Sequence, residues 1–534
     1  MSLRPEVIGN GALARAAEAA ATSVDSVPTD QASGSATGAR PKGRFAADVL
    51  KLTSGTVFAQ VVSILAAPFI ARLFSPQAFG IAALFTSISG ILAIVVCLRY
   101  DRSIIVPAQD EAGVNLVAVS LLFVVVITGL SLPLVIFGQT LFLHQLNAPG
   151  LAPYLWLVPV SVFFLGLLAA LNSWNTRKRH FTLITVAGVL SSASYVAFAI
   201  IAGFKGHNSG GYLIIGALFG TVLSAVALMV QTWRECWPTL LKGVNWESML
   251  QGLRRYSRFP KYGLGAAVLN TVSWELPNFF LSAFFSTAVV GQYALGNRLI
   301  RIPMSFIGLN ISRVFSQRAA EAKHEGTLAP LAQNTFESLV IMGMFPFLLL
   351  ALVSQDLFGL IFGQRWQEAG VYTAILSVWA FFWFISGPLS SALDILDEQA
   401  FDLRANAWIL ASRLGSLAAG GYLGSARIAL GLFSVSGALV YGYYCVTILR
   451  KCGVPASAPL RILSLQILKL VPFAAVIVLA KVLGAPAIAI LALAMIVSVI
   501  YYLRLVKTNS EVRQMVYSLV RKPAAPGVAP EMVN

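Results

Sequence analysis

The sequence predicts an all-α polytopic membrane protein of about fourteen transmembrane helices, two parallel six-helix bundles followed by a C-terminal helix pair. Three observations carry that prediction. Of the 534 residues, 57% are hydrophobic and 11% charged, against roughly a quarter charged in a soluble domain. The apolar residues come in runs about twenty long, the length a helix needs to cross a bilayer. The polar gaps between runs alternate between rich and poor in Lys and Arg, as gaps on opposite sides of a membrane do.

Residues 1–45 are rich in Ala, Ser, Thr and Gly and include Arg4, Arg15, Arg40, Lys42 and Arg44 without a sustained apolar face. That is the composition of a disordered cytoplasmic tail. A secretory signal needs a basic start followed at once by an apolar stretch, and the first one begins near Ala46; the N-terminus is therefore expected to be retained.

Spans are predicted at about 48–73, 79–98, 113–137, 152–172, 182–204, 211–232, 259–285, 288–312, 333–353, 369–391, 404–424, 426–449, 462–483 and 485–505. The first six fall in 46–232 and the next six in 259–449, with 450–505 for the last pair and 506–534 for a cytoplasmic tail. The linker 233–258 carries Trp246, Met249, Leu250 and Leu253 on one helical face with Arg254 and Arg255 nearby. It reads as an amphipathic helix on the membrane surface or as a plain connector.

An even number of spans puts both termini on one side, and the basic residues follow that alternation. Thirty of the 38 lie in gaps, tails or adjoining span ends on the terminus side, five on the other side (Arg72, Lys205, Arg365, Arg427 and Lys481) and three, Arg298, Arg301 and Arg413, well within spans. The rich side is the cytoplasm, and the expected location is the bacterial inner membrane. The same bias explains the net charge of +16 without nucleic acid, since no basic cluster alternates with stacking aromatics.

Two hairpins repeat. Phe74-Ser75-Pro76-Gln77-Ala78-Phe79-Gly80-Ile81-Ala82-Ala83-Leu84 joins spans 1 and 2, and Phe285-Ser286-Thr287-Ala288-Val289-Val290-Gly291-Gln292-Tyr293-Ala294-Leu295 joins spans 7 and 8. Both fit F-S-x4-G-x2-A-L, six helices apart and in the same orientation. Parallel repeats of this kind place substrate between the halves near the midplane.

Charged residues inside spans are costly and mark cavities or partners. Glu275 and Arg298 lie ten residues from the span 7 to 8 junction on either side, roughly 15 Å deep at 1.5 Å per residue. Glu275 either neutralises Arg298 or binds a coupling proton or cation. Arg301 shares the face of Arg298. With Arg413 of span 11 these arginines form a candidate cationic cavity for an anionic headgroup, because a guanidinium donates two parallel hydrogen bonds to phosphate and stays charged; Arg413 alternatively bonds backbone carbonyls. Thr53, Thr56, Gln60 and Ser63 in span 1, and Asn270, Ser273, Trp274 and Asn278 in span 7, are polar stripes at helical spacing. They line a path for a hydroxyl-rich cargo or bond between helices. Arg99 and Asp101 at the cytoplasmic mouth read as a gate or as a solvated salt bridge.

Other chemistry lacks residues to carry it. The histidines His144, His180, His207 and His324 fall in predicted loops without an HExxH motif, and Cys97, Cys236, Cys445 and Cys452 include no CxxC pair. No P-loop is present, so no metal or nucleotide cofactor is expected, and energy is expected either from a gradient, with a proton or sodium as the coupling ion, or from the cargo's own metabolism.

The Phe-Ser-x4-Gly hairpins, the segment Leu98-Arg99-Tyr100-Asp101-Arg102-Ser103-Ile104-Ile105-Val106-Pro107, and Gly291-Gln292-Tyr293-Ala294-Leu295 through Arg298, Arg301 and Pro303 resemble the polysaccharide transporter (Wzx-type flippase) family of the multidrug, oligosaccharidyl-lipid and polysaccharide exporter superfamily. The resemblance covers about residues 46–505. It implies a flippase, not an enzyme, that moves polyprenyl-pyrophosphate-linked oligosaccharide from the cytoplasmic to the periplasmic leaflet for O-antigen, capsule or exopolysaccharide assembly. It also implies contact with membrane lipids and with polysaccharide polymerase and chain-length machinery. The alternatives are a multidrug exporter of the same superfamily, against which the intramembrane arginines argue, and a membrane enzyme of polysaccharide assembly, which usually needs a large periplasmic loop.

Overall fold

The computed structural model describes residues 42–508, excepting the side chains of 42–57, 141, 142, 235–243 and 508. Most of both predicted tails, 1–45 and 506–534, and the side chains of Thr53, Thr56 and Cys236 lie outside the described residues.

Every regular element among the described residues is helical. The first half comprises α1 (Lys42–Leu73), α2 (Pro76–Val96), α3 (Asp110–Gln145), α4 (Leu157–Arg177), α5 (Phe181–Phe204) and α6 (Gly210–Gly243). The amphipathic α7 (Trp246–Arg255) follows, then α8 (Gly265–Phe284), α9 (Thr287–Pro303), α10 (Leu309–Glu325), α11 (Leu328–Ile361), α12 (Gln367–Ser386), α13 (Gln399–Tyr422) and α14 (Ala426–Lys451). The added pair is α15 (Ser457–Val482) and α16 (Ala487–Thr508).

All fourteen predicted spans fall on helices, but among the described residues ten helices are long and apolar enough to cross a membrane. Those short of that mark include α8, α9 and α13, which hold Glu275, Arg298, Arg301 and Arg413; the described part of α1, Phe58–Leu73, is apolar but shorter than 18 residues. Polarity that lowers a helix's apolar count is tolerated where the polar side chains face protein or water rather than lipid.

Several predicted boundaries move outward. α3 and α11 run to 36 and 34 residues, and α3 carries His144 in its last turn, as α10 carries His324; both positions are helical where the sequence predicts loops. α9 continues through a π-helical turn, Met304–Gly308, into α10. Pro303 sits at that junction, and a proline removes one backbone donor and crowds the preceding turn.

The linker is mostly helix. α6 extends to Gly243, beyond the expected end at 232, and α7 docks on the first half. Met249 is buried with Leu116, Val117 and Trp174, the Asn245 amide donates to Asn115 Oδ1 over 3.2 Å, and Tyr100 Oη donates to the Leu253 carbonyl over 3.0 Å. Trp246 stays 64% exposed, so the apolar face divides between protein and surroundings.

α15 and α16 pack on α11. Phe345 stacks on Tyr501 with centroids 4.1 Å apart, and Gln466 donates to Tyr501, which donates to the Ile341 carbonyl.

Candidate functional site

The repeated hairpins pack against each other. Ser75 caps α2 by accepting from the Ala78 amide over 3.2 Å, and Ser286 caps α9 by accepting from the Val289 amide over 3.3 Å, the usual role of serine at that position. The glycines set the crossing. A Cβ on Gly80 would stand 1.6 Å from the Thr287 carbonyl oxygen, and one on Gly291 would stand 1.8 Å from that of Pro76. Thr287 and Pro76 are themselves repeat equivalents, so the contact has the reciprocity of a two-fold interface within one chain.

Arginines clasp the same end. Arg72 donates to the carbonyls of Leu360 and Ile361 at 2.8 and 2.9 Å, and Arg365 returns bonds to those of Ala71 and Arg72. Each guanidinium thereby satisfies terminal carbonyls of the other half's helix and meets the negative end of its dipole. Trp366 Nε1 adds a 2.7 Å bond to the Ala71 carbonyl.

Deeper between the halves, Glu275 is joined to the first half. Its carboxylate accepts from Ser87 of α2 at 2.6 Å and from Asn278 at 3.2 Å, while Asn278 also donates to Ser87 at 2.9 Å. Asn278 Oδ1 is buried without a hydrogen-bond partner. The structure does not pair Glu275 with Arg298: among the described residues the two form no salt bridge, and Arg298 Nη2 donates to the Ser63 carbonyl over 3.3 Å. Glu275 bonds instead to α2 and Arg298 to α1.

Arg298 lines an open cavity of about 410 Å³ walled by α1, α2, α5, α6 and α9. Its walls carry the hydroxyl-bearing Ser63, Thr86, Ser191, Ser192, Tyr195 and Thr221, and Arg298 is the one charged residue among them.

The other two arginines meet at Trp274. Arg301, exposed, and Arg413, 3% exposed, each lie with the guanidinium carbon 4.6 Å from that ring. Arg413 donates to the carbonyl and hydroxyl of Ser273, both at 2.8 Å, and to Tyr441 at 3.2 Å. It ties α8 to α13 and α14 as an enclosed cation, rather than standing open in the cavity with Arg298. The buried Tyr293 phenol lies within electrostatic reach of Arg301, Arg413 and Glu275.

The remaining sequence candidates scatter. Gln60 donates to Ser305 over 3.0 Å, bridging α1 to the π-helical turn, and Asn270 is exposed. Arg99 takes a left-handed φ of 64° before the one-turn helix Tyr100–Ser103. Asp101, 7% exposed, makes its salt bridge at 3.6 Å with Arg102. Burial pushes its carboxyl above the ordinary value, while Arg99 and Arg102 draw it down.

Sequence reasoning missed Ser87 and the α5 group Ser191, Ser192 and Tyr195. The spacing of Ser191 and Tyr195, four residues apart in an apolar helix, was the available signal for a polar face.

Three comparisons bear on this arrangement. Over 85% of its length the chain superposes on 99% of a lipid II flippase, MurJ, in an inward closed conformation, with a TM-score of 0.65 and 12% identity. It also superposes, over 76% of its length, on 98% of a multidrug resistance MATE family transporter of the MOP superfamily in an inward-facing conformation, with a TM-score of 0.60 and 12% identity. At those identities the likeness is one of fold. A stretch of 200 residues is 22% identical to the teichuronic acid biosynthesis protein TuaB of Bacillus subtilis (strain 168), covering 36% of this chain and 41% of that protein. Residues 69–371, more than half of the chain and spanning both hairpins, match the family model described as polysaccharide biosynthesis protein; the chain belongs to that family and has the fold of the MOP-superfamily transporters.

Proposed function

We propose that the protein is a flippase that carries a polyprenyl-pyrophosphate-linked oligosaccharide across the inner membrane for surface polysaccharide assembly. One observation supports this most: Arg298 is the one charged residue of a hydroxyl-walled cavity and, among the described residues, forms no salt bridge. A guanidinium that is not ion-paired suits the phosphate oxygens of a pyrophosphate diester, and Arg301, on the same helix as Arg298 and exposed beside Trp274, supplies a second positive charge. An organic-cation exporter needs the opposite sign. The family membership and the MurJ-like fold agree with this reading.

The clasped Arg72 and Arg365 end is assigned to the periplasmic side by the 30 to 5 distribution of basic residues. Alternating access then requires that end to part so the headgroup leaves outward, toward polymerase and chain-length machinery. Glu275, held by Ser87 across the two halves, is our candidate for a coupling proton or sodium ion, since changing its charge alters a bond between them.

The test is transfer of a fluorescent polyprenyl-pyrophosphate oligosaccharide across proteoliposome membranes. Arg298→Ala and Arg301→Ala should each slow it on the order of 10- to 100-fold, the range for losing charge-assisted hydrogen bonds. Transfer at the wild-type rate in both variants would refute the anion site, and efflux of an organic cation without lipid transfer would replace the flippase reading.

A further inference from the structure

We propose that the α5 and α6 wall of the Arg298 cavity is the subsite that reads the sugar attached to the pyrophosphate, resting on the flippase reading above. The cavity's chemistry is divided by origin. Ser191, Ser192 and Tyr195 of α5 and Thr221 of α6 supply most of the hydroxyls, with Ser63 of α1 and Thr86 of α2 adding two, and Arg298 of α9 supplies the charge. A ligand that satisfies both carries an anion at one end and a hydroxyl-rich body at the other, as a sugar phosphate does.

The wall is held in place by backbone packing. A Cβ on Gly220 of α6 would stand 2.5 Å from the Ser191 carbonyl oxygen, and one on Gly216 would stand 2.9 Å from the Phe198 ring. The helices therefore meet without intervening side chains at the level of Ser191, which limits relative sliding. Thr221 donates its own hydroxyl to the Ala217 carbonyl over 2.9 Å, leaving its oxygen to accept from a ligand. Phe79 and the Tyr195 ring add apolar surface suited to the C–H face of a pyranose.

Size limits what is read. About 410 Å³ lies near the lower end of the roughly 300–1,000 Å³ span of ligand pockets, room for a pyrophosphate and about one sugar ring. The subsite reads the sugar next to the lipid, and sugars beyond it lie outside this cavity. Hydroxyl-lined sites discriminate by leaving their own polar groups unpaired when the wrong ligand enters.

The test uses the purified full chain in nanodiscs. Binding of polyprenyl pyrophosphate is compared with that of the same lipid bearing one hexose, N-acetylhexosamine, 6-deoxyhexose or hexuronate. Wild type should bind at least one glycosylated lipid about tenfold more tightly than the bare lipid. The triple variant Ser191→Ala, Ser192→Ala, Tyr195→Phe should lose that preference to within about twofold while keeping its affinity for the bare lipid. Arg298→Ala should weaken both lipids by the same factor. A triple variant that keeps the preference, or a wild type without one for any sugar, overturns the sugar subsite while bare-lipid binding upholds the anion site. Failure of wild type to bind any of these lipids overturns the flippase reading and the subsite with it. Thermal unfolding of the triple variant separates lost recognition from lost fold, and the single Tyr195→Phe variant, missing only one oxygen, carries the test if the triple variant is unfolded.

Discussion

The two six-helix halves enter their second helices by the same serine-capped hairpin and cross at equivalent glycines, yet they equip the space between them unequally. The first half contributes neutral hydroxyls from Ser63, Thr86, Ser87, Ser191, Ser192, Tyr195 and Thr221; the second contributes Glu275, Arg298, Arg301 and Arg413. Architecture and chemistry thus separate within one repeat. The hairpin answers a backbone problem, close crossing of two helix starts, which has the same solution in both halves. Charge in the membrane answers to a ligand, and it need be supplied only once. In the second half the charge also modifies the scaffold, since α8, α9 and α13 fall outside the set of helices apolar enough to cross unaided.

If that division holds, truncation affects the halves differently. Arg413→Ala empties a buried site and leaves Ser273 and Tyr441 without their donor, and should cost about 3–5 kcal/mol, comparable to truncating a large core side chain. Ser191→Ala in the opposite wall should stay within about 0.5 kcal/mol. Unfolding curves in detergent compare the two, and equal small losses would show that Arg413 is not part of the second half's core.

The equivalence of the hairpins has its own test. Gly80→Ala and Gly291→Ala each drive a methyl group into a carbonyl of the other half and should destabilise by about 1–3 kcal/mol apiece. Gly90→Ala, further along α2 with nothing within 4 Å of the new Cβ, should be neutral or gain up to about 1 kcal/mol of helix propensity. A large loss at Gly80 beside none at Gly291 would break the symmetry.

The reciprocal arginines should matter less to stability and more to access. Arg72→Ala or Arg365→Ala removes exposed hydrogen bonds worth about 0.5–1.5 kcal/mol each. The readout is labelling of Ser63→Cys by an impermeant maleimide from the Arg72 side, in a background with Cys97, Cys236, Cys445 and Cys452 replaced by serine. About tenfold faster labelling in either variant is expected, the ratio for roughly 1.4 kcal/mol; unchanged labelling would locate closure elsewhere.

The smallest effect concerns Asp101. Because burial raises its carboxyl in the folded chain above the ordinary value, ionisation opposes folding at pH 7, and that cost is relieved as pH falls through the raised value and is gone below the ordinary one near about 4. Asp101→Asn should therefore raise thermal stability slightly at pH 7, with the gain shrinking toward pH 4. A loss at pH 7 would mean that attraction to Arg99 and Arg102 outweighs burial.

Much of this molecule is one-dimensional and was legible as such. Apolar run lengths, the alternation of basic gaps and the repeated Phe-Ser-x4-Gly hairpin depend on position along the chain, and the helix rise converts position into depth. That is why all fourteen spans fall on helices. Direction around each helix and the identity of the neighbour are not contained in depth. Packing decided them: it turned Glu275 toward Ser87 and away from Arg298, enclosed Arg413 against Trp274 and Ser273, and brought the α5 hydroxyls into one cavity with Arg298. The amino-acid order specified which helices carry charges, because hydrophobicity and helix length act locally. The tertiary structure alone decided which of them share a cavity, because that depends on helix crossings between segments more than a hundred residues apart.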